Sequence, residues 1–578
     1  MNPETRTANA FSRLCEDFIT PSTGRRAGII EVRLGQSAPL PFDDSFAWPS
    51  SSRIKSLEYD SRNIKTGSLY FALPGLHVDG HAFIPEALNR GAAAVVHEKE
   101  LAEYRENILY IRVKDSRFSM SPLADAFYDH PSRRMGIIGV TGTEGKSTTV
   151  YLIYQLLELL GKKTGFISTV QHGDGLAVNW NSEHQTTPEA VTIHRLLAEM
   201  YNNGAEYAVL ESSSHGLSKR TNRLGDVDYD AGLVTNITHE HLEFHGTWEQ
   251  YRSDKAELFR SLDSSPSLHK KLIQGKEKTI PSFGVINSDD ASADFLAAVT
   301  KSKTYTFSTR GKSSDLFTEH IIDDTGGNRY EVINGSTGEI VTLKDQLPGA
   351  FNAGNVLAAI LAVTKLLSLE IRDLVSLVPL LKPVRGRMSP VCRGQPFEVL
   401  IDYAHTPSSF QTIFPPLRKR LNSSGGRLIS LFGSPGERDT QKRKLQGEIA
   451  SRYSDIVILT DEDPRGEEPM SILEEIAKGC EATSGCEATS GCVADQGCEA
   501  TSGCQTKSHM IRNETLFLIP DRPKAIRKAF SLARKGDLVL LLGKSHENSI
   551  IYARETMPYD EFNAAETALE EAGFLNKQ

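Results

Sequence analysis

The sequence predicts an α/β protein of three domains, with a mostly parallel central sheet and a second α/β unit in its C-terminal third. Three observations lead there. Short apolar runs alternate with helix-like runs from about residue 134 onward, the pattern of strands joined by crossover helices. One run, RMGIIGV, passes through a small-residue stretch into STTVYLIYQLLELLG, so strand, glycine-rich loop and helix follow one another from Arg134 to Gly161. A chain of 578 residues with 39% hydrophobic content can also fill several separate cores.

The first domain is expected over residues 1–133. There SLYFAL (Ser68–Leu73), AAAVVH (Ala92–His97) and ENILYIRV (Glu106–Val113) read as buried strands, and NIKTG (Asn63–Gly67) as a turn. The central domain is expected over 134–382. After RMGIIGV its strands are KTGFIST, AEYAVLES and DAGLVTNI. YTFSTRG and EVINGSTGEIVTL read as an antiparallel side sheet ahead of the helix NAGNVLAAILAVTKLL. The third domain, 383–578, has FEVLIDYAH, RLISLFGS, DIVILTDEDP, TLFLIPD and DLVLLLGKS as strands, with helices in most intervals. That order is dinucleotide-binding-like, but no GxGxxG follows the first strand, so no NAD site is assigned.

Five of the seven cysteines (Cys480, Cys486, Cys492, Cys498 and Cys504) recur every six residues in a Gly/Ser/Thr-rich stretch at about 479–508. It has no CxxC pair, and no histidine joins it before His509, so an exposed low-complexity insertion is favoured over a metal site. The formal net charge of -9, with acids and bases intermixed, argues against a general nucleic-acid surface but permits local basic pockets. No apolar run is long enough to span a bilayer, and MNPETRTANAFSRLC lacks the apolar core of a secretory signal. A monomeric cytosolic enzyme is expected, with no nucleic-acid partner and no membrane insertion.

GVTGTEGKSTT (Gly139–Thr149) organises the central domain. Gly142 and Gly145 allow tight backbone placement on either side of Thr143. Lys146 can set a cation against the β- and γ-phosphates of a nucleotide. Ser147, followed by Thr148, can ligate magnesium, and the helix aims its N-terminal amides at the phosphates. Strict Walker spacing would need glycine at 140, where the chain has Val140; Gly139 is one position too early. The order strand, glycine-rich loop, Lys-Ser and helix still predicts a P-loop ATPase-like nucleotide site. The competing reading is a lysine at an ordinary helix start.

Two later strand ends supply acids and imidazoles. AVLESSSHG carries Glu211 and His215, and LVTNITHEHLEFHGTWEQYRSDKAELF carries His239, Glu240, His241, Glu243, His245 and Lys255. The carboxyl ends of parallel strands gather around ligands, so Glu211 could meet a magnesium held by Ser147, and His241 could complete a second metal position. A single histidine there could equally cap a helix or lie on its surface.

Together with HQTTPE, LPGAFNAGN, VRGRM, DYAHTP, GSPGERDTQKR, DEDPRGEEP and GKSHE in that order, these motifs resemble the Mur ligase family over nearly the whole chain. LEYDSRNIKTGSLYFALPGLHVDGHAFI is similar to the uridine-nucleotide-binding domain of the branch that adds the third residue of the peptidoglycan stem peptide. The resemblance implies an ATP- and magnesium-dependent amide ligase acting on UDP-N-acetylmuramoyl-L-alanyl-D-glutamate and an amino acid. The glutamate carboxylate would attack the γ-phosphorus of ATP, and the incoming amine would displace phosphate from the acyl phosphate. The implied catalytic set is Lys146, Glu211, His241 and Lys255. Lys255 matches the family's carbamylated lysine, whose carbamate would join Ser147, Glu211 and His241 as metal ligands. Helical spacing alone would make Lys255 a solvated helix residue.

Asn352 in FNAGN, Arg387 in VRGRM and Asp402 in IDYAHTP are implied ATP contacts, the last two brought in by domain closure. Without the resemblance they read as a surface salt bridge at Arg387 and a strand-end cap at Asp402. Ser61 and Arg62 in DSR, Thr186 and Thr187 in TTPE, and Ser213 in SSSH are implied contacts to the UDP-sugar peptide, with His405 a further polar candidate. The family usually has asparagine before TTP, where this chain has Gln185. It usually has arginine six residues after the SSH histidine; here that position is Thr221, and Arg223 is the expected substitute, with Arg220 also near.

Arg438 and Arg465 are candidate clamps for the incoming α-carboxylate. Asp463 stands where diaminopimelate-adding members carry the asparagine of DNPR. It would attract a distal ammonium and disfavour a distal carboxylate. Glu547 of GKSHE, which opens at Gly543, could add a second ammonium contact, and Ser545 replaces the family's glycine. L-lysine or L-ornithine is therefore expected over meso-diaminopimelate, which Arg465 keeps open. Two other readings remain. A folate polyglutamate-type ligase is opposed by DSRNIKTGSLYFAL and DEDPRGEEP. A non-catalytic nucleotide-regulated binding protein would not need Glu211, His241 and Lys255 together.

Overall fold

The computed structural model describes residues 12–43, 46, 48, 53–75, 78–181, 186–238, 242–324, 327–482 and 510–574. The chain divides into two compact units, one built from 1–321, 330–344 and 353–381, the other from 322–329, 345–352 and 382–578.

The first unit holds two large sheets. The N-terminal one has six strands in the order Leu40–Pro41, Ile29–Leu34, Leu109–Val113, Ala94–His97, Ser68–Phe71, Ser56–Glu58. The last four are mutually parallel. Helix Ser116–Phe127 packs Met120, Leu123 and Phe127 against Val32, Leu69, Val96 and Ile111. Val191 and Ala198 of helix Ala190–Asn202 enter the same core, so the N-terminal sheet and the central part share one apolar seam.

In the central sheet, Gly136–Thr141 lies between Tyr207–Glu211 and Ala231–Val234, parallel to both. Thr164–Ile167 adds beyond Tyr207–Glu211, and Phe283–Asn287 beyond Ala231–Val234, again in parallel. These strands are buried on both faces, which is why they read as unbroken apolar runs. The expected side sheet is not a separate one, although its EVINGSTGEIVTL part does pair, Gly327–Asn334 with Ile340–Asp345. Lys303–Ser308 pairs parallel to Phe283–Asn287 after the short crossover helix Ala293–Ala298, and so extends the central sheet. Gly327–Asn334 joins that same sheet, antiparallel to Leu316–Phe317. A hairpin, Leu268–Ile273 with Lys276–Pro281, is pinned by Lys271 Nζ and His269 Nε2, 2.8 Å and 2.7 Å from the buried Asp230 carboxylate.

The second unit has a six-stranded sheet ordered Ser389–Pro390, Glu398–Asp402, Leu538–Leu542, Leu428–Phe432, Ile456–Leu459, Leu516–Leu518. All its pairings are parallel except the first. Helix Pro469–Ala482 runs past the expected start of the insertion at 479, because Cys480 is a core residue at 1% exposure. Cys486, Cys492, Cys498 and Cys504 lie outside the described residues. Among the described residues no helix is long and apolar enough to cross a membrane.

Candidate active site

At the carboxyl end of Gly136–Thr141 the chain turns through Gly142–Gly145 into helix Lys146–Leu159. The helix buries Val150, Ile153, Leu156 and Leu157 at helical spacing, which anchors its first turn against the sheet. Val140 is fully buried in the strand, so the loop begins two residues after the position that strict Walker spacing would give to glycine. Gly145 caps the helix at φ 80°, and a Cβ there would lie 2.5 Å from Asn355 Oδ1. Thr235 and Asn236, at the end of the next strand, hold the loop from outside. Asn236 Oδ1 accepts from Glu144 N at 2.9 Å and its carbonyl from Thr143 N at 2.8 Å. Tyr251 hydroxyl lies 2.9 Å from Thr143 Oγ1. Lys146 Nζ donates to Thr143 O at 2.8 Å, so its charge sits over the loop. Thr148 is half-buried one position beyond Ser147.

Ser147 Oγ donates to Glu211 Oε2 at 2.8 Å. Glu211 closes Tyr207–Glu211, is 2% exposed, and also accepts from Thr169 N and Oγ1 at 2.8 and 3.0 Å. A hydroxyl and a carboxylate in contact beside the loop are hard oxygen donors, the kind that suits magnesium. Lys255, in helix Trp248–Ser261, is 2% exposed; its Nζ donates to Gly142 O at 2.6 Å and lies over the Tyr251 ring. It is therefore not the solvated residue that spacing alone implies. His241 and Gln185 lie outside the described residues. Among the described residues no three His, Cys, Asp or Glu side chains cluster as a ready metal cage.

Behind Glu211 runs a second polar line. Thr187 Oγ1 donates to Ser213 Oγ at 2.8 Å, and Ser213 Oγ accepts from Gly216 N as the cap of the short helix Ser214–Leu217. Arg223 donates to Thr187 O and to Glu189, each at 2.9 Å. Arg117 reaches the same Glu189 oxygen at 2.8 Å. Of the two arginines near position 221, Arg223 is thus the one tied to the TTPE segment; Arg220 lies over the Phe244 ring. Thr186 is half-buried beside this line. Ser61 is buried in the N-terminal domain, 3.4 Å from Glu86 Oε2.

The second unit gathers its own set. Asp402 accepts from Met388 N and Ala404 N, and burial raises its pKa against the pull of Arg387. Arg387 lies over Tyr403, whose hydroxyl donates to Glu547 at 3.2 Å. His405 packs on the Tyr403 ring. Lys544, fully buried, donates to Asp463 Oδ1 at 2.9 Å and to Glu547 Oε2. Gly543, at φ 97°, brings the backbone against Glu462, whose pKa burial raises. Arg465 stands at φ 55° with a buried, unpartnered Nε among the described residues. Arg438 is exposed. Asn352 also belongs to this unit and donates to Pro348 O at 2.8 Å.

Several contacting groups escape sequence reasoning. Asn355, three residues after Asn352, accepts from Thr149 Oγ1 in the first turn of the helix that follows the loop; the i, i+3 spacing was the available signal. Asn236 carried only the strand-end position of TNIT. Nothing local marks Lys544 as the buried partner of two acids.

Comparison with known proteins gives a consistent set of likenesses. The Mur ligase middle domain matches residues 140–363, the Mur ligase glutamate ligase domain 386–545, and the catalytic domain of the Mur ligase family 53–128. A UDP-N-acetylmuramyl-tripeptide synthetase of Treponema denticola is 47% identical over 90% of this chain and 94% of its own length. A UDP-N-acetylmuramoyl-L-alanyl-D-glutamate--2,6-diaminopimelate ligase of Geobacillus kaustophilus is 36% identical over 90% and 96%. The solved structure of a ligase of that latter name aligns with TM-score 0.55 at 25% identity, covering 92% of this chain and 97% of the other.

Proposed function

The chain belongs to the Mur ligase family and is an ATP-dependent, amide-bond-forming ligase that adds an amino acid to a UDP-N-acetylmuramoyl peptide; we propose that the peptide is UDP-N-acetylmuramoyl-L-alanyl-D-glutamate and the amino acid L-lysine or L-ornithine. The observation that carries the nucleotide half is the contact of Ser147 with Glu211 beside Lys146, at the carboxyl end of a parallel sheet.

In this reading the D-glutamyl carboxylate attacks the γ-phosphorus, the bond to ADP breaks, and the resulting acyl phosphate gains a leaving group that a free carboxylate lacks. Lys146 and the first-turn amides of Lys146–Leu159 counter the charge of the transferring phosphoryl group. Magnesium, held by Ser147, Glu211 and a carbamate on Lys255, with His241 as a further ligand, would neutralise phosphate charge. The Lys255 ammonium would first lose a proton; the free amine would then bond through nitrogen to the carbon of carbon dioxide and lose a second proton, leaving an anionic carbamate as oxygen ligand. The amino group of the second substrate then attacks the acyl carbon and phosphate departs. Thr186, Thr187, Ser213 and Arg223 hold the peptide end, and Ser61 the uridine-nucleotide end. Asn352, Arg387 and Asp402 contact ATP. The family's chemistry belongs to the cytosol, and that is the proposed location.

Arg438 and Arg465 take the α-carboxylate of the incoming amino acid. The distal ammonium is drawn by Asp463, whose Oδ2 accepts no hydrogen bond among the described residues, and by Glu547. One observation favours diaminopimelate instead: the unpartnered Nε of Arg465 could take a second carboxylate. The test is tripeptide and ADP formation with each component omitted in turn, then amino-acid competition at equal subsaturating concentrations. Turnover should require ATP, magnesium, the UDP-dipeptide and an amino acid together. Lys146→Ala should lose at least about 100-fold, since it removes phosphate-facing charge, while keeping its circular dichroism. Lysine or ornithine should outcompete meso-diaminopimelate; the opposite ranking rejects the choice of amino acid.

A further inference from the structure

One polar cluster in the first unit stands outside these assignments. His245 Nδ1 lies 2.7 Å from Asp254 Oδ2, and His245 Nε2 lies 3.0 Å from Ser214 Oγ. Ser214, His245 and Asp254 are 2%, 5% and 5% exposed. The remaining Asp254 oxygen accepts from Gln250 Nε2 at 2.9 Å. In the neutral ring with the proton on Nδ1, the Asp254 carboxylate accepts from Nδ1–H and Nε2 accepts from the Ser214 hydroxyl. Serine, histidine and carboxylate in that order would suit a nucleophile, but burial of all three argues against one.

The role follows from what each member adjoins. Ser214 comes three residues after Glu211, across Ser213, whose hydroxyl is locked by Thr187 and Gly216. Asp254 immediately precedes Lys255, whose Nζ reaches the phosphate loop at Gly142 O. The His245 ring meets Tyr251 edge-on at 5.1 Å, and Tyr251 holds Thr143 of the loop. A strand end, a helix and the phosphate loop are thus stitched together at one histidine. The geometry points to Ser214–His245–Asp254 as a positioning triad that fixes Glu211 and Lys255 relative to each other for a shared divalent cation. Groups hydrogen-bonded directly to metal ligands commonly govern metal affinity by about 10- to 100-fold; this triad would act through the backbone beside Glu211 and Lys255, at the lower end of that range. The inference rests on the reading of Glu211 and Lys255 as cation ligands.

The experiment uses the full chain with Mn2+ as a spectroscopic probe. Electron paramagnetic resonance titration gives the Mn2+ affinity, and 13C NMR under labelled bicarbonate gives the Lys255 carbamate. Ser214→Ala and Asp254→Asn should each weaken Mn2+ at least about tenfold and lower the carbamate signal. ADP binding in EDTA should stay within about twofold of wild type, and Ser214→Thr, which keeps the hydroxyl, should restore Mn2+ affinity. A lowered melting temperature with unchanged Mn2+ affinity and carbamate would mean the triad is only structural glue, and would overturn the inference. If Ser214→Ala does not fold, the near-isosteric Asp254→Asn decides alone. A wild type that binds no Mn2+ and carries no carbamate would also overturn it, but by removing the reading of Glu211 and Lys255 themselves.

Discussion

Gly145→Ala is the sharpest probe of the phosphate loop. The residue sits at φ 80°, where an L side chain costs about 1–2 kcal/mol. Its Cβ would also lie 2.5 Å from Asn355 Oδ1, closer than van der Waals contact permits. Asn355 would have to move, losing the 3.2 Å bond it accepts from Thr149 Oγ1, worth about 1 kcal/mol. The total is about 2–3 kcal/mol, and the loop can relieve it by leaving its observed shape. If nucleotide binds only that shape, apparent affinity falls with its population. The expected loss is about 30- to 150-fold in ADP affinity. Gly161→Ala is the control: it ends the same helix at φ 72° with nothing within 4 Å of its Cβ, so it bears the backbone cost alone. Calorimetric titration with ADP on both variants, with melting curves, is the assay. Gly145→Ala with ADP affinity within threefold of wild type, and a melting temperature lowered like that of Gly161→Ala, would refute the reasoning.

Asp463→Asn should move amino-acid preference about tenfold toward meso-diaminopimelate. Two carboxylates about 5 Å apart repel by about 3 kcal/mol at an effective dielectric near 20, and Lys544, 2.9 Å from Asp463, offsets part of it; an unmoved product ratio rejects the electrostatic account. Glu58 is pushed up to about 7 by burial. Its proton is bound more tightly folded than unfolded, so stability should fall as pH rises from about 4.5 to about 7. Urea unfolding of Glu58→Gln at pH 5 and pH 8 should lack that share of the pH dependence; a slope equal to wild type speaks against it.

The parallel strands of the second unit were legible because a strand buried on both faces is a continuous apolar run, as in LVLLL and IVIL. Phe283–Asn287 was missed for the opposite reason: its five residues contain a glycine and end in asparagine. Lys303–Ser308 misled because most of its residues are only partly buried, and half-buried strands alternate as antiparallel ones do. The strand Leu268–Ile273 was not assigned, its LHKKLI carrying two adjacent lysines. Its Lys271 is buried because Asp230, far away in sequence, neutralises it. Order along the chain carries period and turn chemistry; it does not carry the partner of a buried charge.

The same limit applies at the amino-acid end. Asp463 taken alone argues for a cationic side chain, yet Lys544 is fully buried against it and against Glu547. One cation shared by two carboxylates leaves a single uncompensated negative charge. Glu462 is buried beside them, which pushes its pKa up, while Lys442 and Lys544 both pull it down. A site with one negative charge to spare is matched by one distal ammonium, the end group of lysine or ornithine. Diaminopimelate would bring a carboxylate with its ammonium and would need Arg465 to balance it. Selectivity on this account rests on the ratio of acids to Lys544, so removing the lysine's charge should tighten the preference for a distal ammonium. Lys544→Met, if the sheet holds, is the variant in which lysine or ornithine should gain most over diaminopimelate; a shift toward diaminopimelate would mean that Lys544 itself takes the second carboxylate.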